Sequence, residues 1–163
     1  MFNTYPNLTI NAADFTIASP RNPEVTSFKM DSVRNVFYLP IKFYEKFPNI
    51  DFYQCTKCSV RNVARVHFYK LKDIKDLTLS NNLISNIEID AFVDLINLVH
   101  VRLGENQIKS LEAVFPNSHR IKIVEFYNNG AQFIDENTFE NKPELQQVHL
   151  LLNQCVSKSY MKI

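Results

Sequence analysis

One hundred and sixty-three residues with 45% hydrophobic content are the length and composition of one globular domain with a real core. Eighteen Lys and Arg stand against 17 Asp and Glu, a net charge of +1, so no general electrostatic pull draws the chain to nucleic acid or anionic membrane. No uncharged apolar run of about 18 residues is present to span a bilayer. The two glycines, Gly104 and Gly130, are too few for a phosphate-cradling loop, and three cysteines cannot complete an internal disulfide framework.

In chain order, Met1-Phe2-Asn3-Thr4-Tyr5-Pro6 carries neither a basic n-region nor a long apolar run, so no signal peptide is visible. Residues 5–17 hold two short alternating runs around a polar turn and predict a hairpin, with Pro20 and Pro23 marking its exit. Residues 1–24 are therefore expected to form an N-terminal β-cap. Within them Asn7-Leu8-Thr9 is an N-x-S/T sequon, a glycosylation site if the chain is secreted.

From residue 25 one template recurs, with starts near 25, 50, 74, 98, 121 and 145. It is clearest at Ile74, Leu77, Leu79, Asn82, Ile84, Ile87, Phe92 and Leu95, and it returns as Leu98, Val101, Leu103, Asn106, Ile108 and Leu111. The alternating pair in each copy predicts a short strand; the loop and extended or short helical return after it bring the next strand alongside in parallel. Residues 25–155 then make about six stacked copies, since none buries its own apolar face alone. Asn82, Asn106, Asn129 and Asn153 occupy one equivalent position, and Cys58 the same one earlier. An amide there both donates to and accepts from backbone groups of adjoining turns, which predicts a buried ladder. Phe43, Phe68, Phe92, Phe115 and Phe139 are expected to stack along the back as a spine. Residues 156–163 read as an incomplete tail that leaves the last strand without a cap.

The pattern L-x-x-L-x-L-x-x-N/C-x-L resembles the leucine-rich repeat family, best at Leu77-Thr78-Leu79-Ser80-Asn81-Asn82-Leu83-Ile84. The 24-residue spacing is similar to the extracellular type. Phrases such as Tyr44-Glu45-Lys46-Phe47-Pro48-Asn49-Ile50 are similar to secreted or surface repeat proteins of insects. The resemblance implies an α/β solenoid, curved, with a parallel sheet on its concave face and loops or short helices on the convex one. It also implies a non-enzymatic module that recognises a protein ligand in an extracellular or cell-surface setting, such as adhesion, receptor or innate-immune recognition. With no signal peptide visible, a cytoplasmic location and a truncated gene model stay open beside it.

Chemistry has few footholds. Cys55-Thr56-Lys57-Cys58 is a C-x-x-C, but the template puts Cys55 at an inward strand position and Cys58 on the ladder, so buried structural thiols are expected before a disulfide, a redox enzyme or a metal site. Cys155 is a third structural thiol or half of a disulfide reaching beyond this chain. The four histidines are scattered: His67 in a return, His119 in a loop, His100 and His149 on outward strand positions two repeats apart. Asp73 with Asp76 reads as solvated charge rather than a catalytic pair. No cofactor and no metal is expected.

The outward strand positions form columns: Lys29, Gln54, Thr78, Arg102, Glu125, His149; then Ser27, Phe52, Asp76, His100, Ile123, Gln147; then Asp31, Thr56, Ser80, Gly104, Tyr127, Leu151. Phe52, Gln54, His100, Arg102, Ile123, Glu125, Tyr127, His149 and Leu151 are the candidate ligand-binding set. Ile123, Tyr127, Leu151 and Leu152 beside Arg102, Glu125 and His149 have the composition of an interface core. Burial beneath a C-terminal cap explains the same cluster. Two further readings remain: a structural fragment that self-associates through an uncapped C-terminal edge, and a thiol redox enzyme at Cys55 and Cys58.

Overall fold

The computed structural model describes residues 21–33, 35–154 and the backbone of 160–161. The expected N-terminal hairpin, the Asn7 sequon and Cys155 lie outside the described residues. In chain order the elements are β1 (Ser27–Asp31), α1 (Phe43–Lys46), β2 (Phe52–Thr56), β3 (Asn62–Val63), α2 (Arg65–Phe68), β4 (Asp76–Thr78), β5 (Asn86–Ile87), β6 (His100–Arg102), β7 (Ser110–Leu111), β8 (Ile123–Glu125), β9 (Phe133–Ile134), a 3₁₀ turn (Glu136–Phe139), β10 (Gln147–His149) and β11 (Tyr160–Met161).

One strand per repeat builds the front sheet, in the order β1-β2-β4-β6-β8-β10-β11. The first six run parallel, each offset from the last by one repeat: Lys29 lies opposite Gln54, Gln54 opposite Thr78, Thr78 opposite Arg102, Arg102 opposite Glu125 and Glu125 opposite His149. Alternation sets the two faces. In β1, Phe28 and Met30 point inward while Ser27, Lys29 and Asp31 stay in solvent. In β4, Leu77 is buried between half-buried Asp76 and Thr78.

Each strand stops at a residue with positive φ: Ser32 (56°), Lys57 (52°), Asn81 (58°), Glu105 (58°), Asn128 (53°) and Leu152 (59°) occupy one template position in six successive copies. That left-handed residue turns the chain so that the next one enters the interior. The back is mostly extended. Its pieces pair in parallel as β3 with β5 and β7 with β9, while helix among the described residues is confined to the single turns α1 and α2 and one 3₁₀ turn.

Between front and back the core is continuous from Phe28 to Leu150. Phe68, Phe92 and Phe115 stack at centroid distances of 5.6 and 5.3 Å. The row does not pass directly from Phe43 to Phe68: Tyr53, projecting inward from β2, stands between them at 5.5 and 5.4 Å. Its hydroxyl is buried with no hydrogen-bond partner, and burial raises its pKa well above the ordinary phenol value. Phe139 at the other end is only half-buried against the core. Each fully buried Phe contributes about 1.5–3 kcal/mol by leaving water, so this row is a major source of cohesion between repeats.

The C-terminal edge, expected to be open, is partly covered. β11 pairs antiparallel with β10, Met161 opposite Gln147 and Tyr160 opposite Val148, so the chain's own tail takes up that edge of the sheet. Among the described residues, no helix is long and apolar enough to cross a membrane.

Candidate functional site

The front sheet presents the columns side by side, and the parallel register decides which side chains meet. At its N-terminal end Thr56 donates from Oγ1 to Asp31 Oδ1 at 2.5 Å and accepts from Gln54 Nε2 at 3.1 Å. The Lys29 ammonium lies 5.4 Å from the centre of the Phe52 ring. Phe52 and Gln54 thus belong to a cluster on β1 and β2.

A second cluster spans β4 to β10. His100 Nδ1 lies 2.7 Å from Asp76 Oδ1, Arg102 Nη1 lies 3.6 Å from the same oxygen, and Arg102 Nε donates to Glu125 Oε1 at 3.1 Å. Three strands are therefore tied across the front by alternating charges, all half-buried. Ile123 adjoins His100 in register, and His149 Nε2 lies 3.2 Å from Gln147 Oε1. His100 and His149 keep separate partners and share no ligand position.

Tyr127 lies flat over Gly104. A Cβ on that glycine would come within 2.6 Å of the ring, so only glycine permits the contact. The Tyr127 hydroxyl reaches Glu105 Oε1 at 3.3 Å; burial first, and then the Glu105 charge, raise its pKa above the ordinary phenol value. Leu151, 47% exposed, and Leu152, 71% exposed, follow β10 and stand open to solvent.

Asp76 was not among the expected binding residues, yet it is the hub of the second cluster. The pairing considered from sequence, Asp73 with Asp76, does not form one site: Asp73 lines a groove of about 700 Å³ on the return side together with Tyr44, Arg65, Lys70, Val93 and Ile96. That groove touches none of the nine expected residues. The signal for Asp76 was its column, one strand from His100.

Behind the front, the asparagines form a continuous ladder. Asn82 Oδ1 accepts the Cys58 and Val60 N–H groups at 2.9 and 3.2 Å, and its Nδ2 donates to Cys55 O at 2.8 Å and Leu79 O at 3.0 Å. Asn106 accepts from Ile84 N–H and donates to Leu79 O and Leu103 O, each at 3.0 Å. Asn153 accepts from Asn129 and Ala131 N–H and donates to Phe126 O at 2.7 Å. At the head of the ladder Cys58 Sγ lies 3.0 Å from Thr56 O and receives a hydrogen bond from the Val33 backbone.

Cys55 and Cys58 are free thiols, both fully buried. Burial pushes the Cys55 thiol well above its usual range, the reverse of an activated nucleophile, while its hydrogen bond to Cys58 holds that fully buried thiol below its ordinary value. His67 is buried in α2, where Nδ1 accepts the Ala64 N–H at 2.9 Å; burial lowers it to about 4. His119 stays in an exposed loop against Asn141 O. Among the described residues no three His, Cys, Asp or Glu converge in a way that could hold a metal ion.

A family model described as leucine rich repeat matches residues 56–108. Mouse epiphycan is 30% identical over 96 residues, 58% of this chain and 29% of that protein. A crystal structure of a TLR13–ssRNA13 complex superposes with a TM-score of 0.58 at 16% identity, over 78% of this chain and 22% of the other, a likeness of fold. The chain spans less than a third of either protein's length.

Proposed function

Because this chain is a leucine-rich repeat protein, we propose that it is a non-enzymatic recognition module that binds a protein ligand on the concave front of its sheet. The single observation that carries the reading is the cluster around Arg102. Side chains from three repeats, Asp76, His100, Arg102 and Glu125, are fixed by one another in a half-buried layer, with Tyr127 held beside them by Glu105 and with Ile123 and Leu151 at its margin. Preorganised charge beside exposed apolar and aromatic surface is the composition of an interface core, and side chains already held lose little freedom on binding. An extracellular or cell-surface setting is part of the proposal, supported by the likeness to epiphycan and to the TLR13 structure. The buried, deactivated Cys55 thiol counts against a redox enzyme. Self-association through the last strand is weakened by the tail that already occupies β10.

The test is affinity capture with the full chain against the double variant Arg102→Glu with Tyr127→Ala, its fold verified by circular dichroism. A protein partner retained by the native chain and lost by the variant is the expected result. Identical captures would show that the front cluster is not the binding surface.

A further inference from the structure

Of the two glycines, only Gly130 follows an asparagine. The other ladder asparagines precede Leu83, Gln107 and Gln154, whose side chains hinder the next backbone nitrogen. After Asn129 nothing hinders it. The chemistry open to such a pair is ring closure: the Gly130 nitrogen attacks the Asn129 side-chain carbonyl carbon, the new C–N bond forms, the C–NH₂ bond breaks and ammonia leaves. Water then opens the succinimide to aspartate or to isoaspartate, in which the main chain gains a methylene.

In the fold this amide is locked. Asn129 is 3% exposed; its Oδ1 accepts Ile108 N–H at 3.2 Å, and its Nδ2 donates to Leu103 O, Phe126 O and Tyr127 O at 3.1, 3.3 and 3.3 Å. Closure needs that amide to leave all four partners, so it requires the turn to open. We infer that Asn129–Gly130 is a covalent modification site gated by local opening: a one-way deamidation that proceeds only while the C-terminal repeats are unlatched and then prevents them from closing. The irreversibility follows from the partners. A carboxylate cannot donate to three carbonyls, and the groups that the Asn129 side chain meets are amides and carbonyls; Lys109 Nζ, 3.5 Å from the Asn129 main-chain oxygen, is engaged with the backbone rather than with that side chain. Asn153 Oδ1 in turn holds the Asn129 N–H at 3.2 Å, so the defect passes to the β10 repeat.

The experiment follows deamidation by peptide-mapping mass spectrometry of the intact chain at mildly alkaline pH, with and without urea, using Asn82 and Asn106 as internal references. Asn129 is expected to convert on the order of a hundredfold more slowly in native buffer than in unfolding urea, equivalent to about 2.7 kcal/mol of opening free energy, while the reference asparagines stay unchanged. Equal rates in both conditions would remove the gate, and survival of Asn129 in urea would remove the site. The product form, Asn129→Asp, should lose hydrogen-exchange protection over residues 121–154. Asn129→Cys, which copies the natural Cys58 solution, should retain that protection and abolish the mass change. An Asn129→Asp chain protected like the native one would overturn the one-way step. The readout is covalent, so it stands or falls independently of the binding reading.

Discussion

His67 shows how one buried ring writes a pH dependence into the fold. Its native value, about 4, lies below the ~6.5 of an unfolded histidine. Between those values the unfolded chain binds a proton that the folded chain refuses, so stability falls as pH drops from about 6.5 toward 4, by up to about 3 kcal/mol. Protonating Nδ1 would also destroy the acceptor for Ala64 N–H. His67→Gln, which keeps an acceptor and cannot titrate, should flatten the slope of urea-unfolding free energy against pH across that window. An unchanged slope would assign the acid sensitivity elsewhere. The sequence placed His67 in a return but gave no sign that it is buried. The face a side chain takes in an irregular return has no period to reveal it, whereas in a strand the period of two does.

At the scale of the element, the strand-ending turn recurs six times with a left-handed residue, yet only Asn81 and Asn128 are of a type that tolerates that conformation well. Lys57 and Glu105 take the same φ at a cost of ~1 kcal/mol each. Lys57 has an exposed side chain, so Lys57→Asn should raise stability by about 1 kcal/mol, read as a higher urea midpoint with unchanged slope. A lower midpoint would mean that Lys57 makes a contact worth more than the strain. The strands themselves were legible from alternation, and the Lys29-to-His149 and Ser27-to-Gln147 columns on the front agree with the observed register residue for residue. The pairing of β11 was not, because its two residues return antiparallel after the last repeat and fit no template position.

Across the whole molecule, adjacent copies are joined by two kinds of fastening: ring against ring in the interior, and amide to backbone along the ladder. Asn106 reaches Leu79 and Ile84 in the copy before it and Leu103 and Gly104 in its own. Asn106→Ala strands those buried groups and should cost about 1–3 kcal/mol. Because nearest-neighbour coupling is what makes a stack unfold as one body, the urea transition should also broaden. A shift of the size produced at the exposed Asn117 would argue that the ladder is not a fastening. The fold was legible because each copy repeats the same physical demand. The front cluster was legible only in part: Arg102, Glu125 and Tyr127 drew notice by type, but Asp76 became its hub only through a neighbour 24 residues away.

The contact of Tyr127 with Gly104 has an evolutionary consequence. Ladder and core positions carry interchangeable side chains, so duplicating or deleting a copy by unequal recombination leaves them satisfied. A bulky ring that needs a bare neighbour one copy back is different. Such an event between the two would set Tyr127 against Ser80, or Gly104 beneath Leu151, and break the match. The pair therefore fixes the order of these two copies in the lineage, in a stretch of sequence where most of the architecture would permit them to be shuffled.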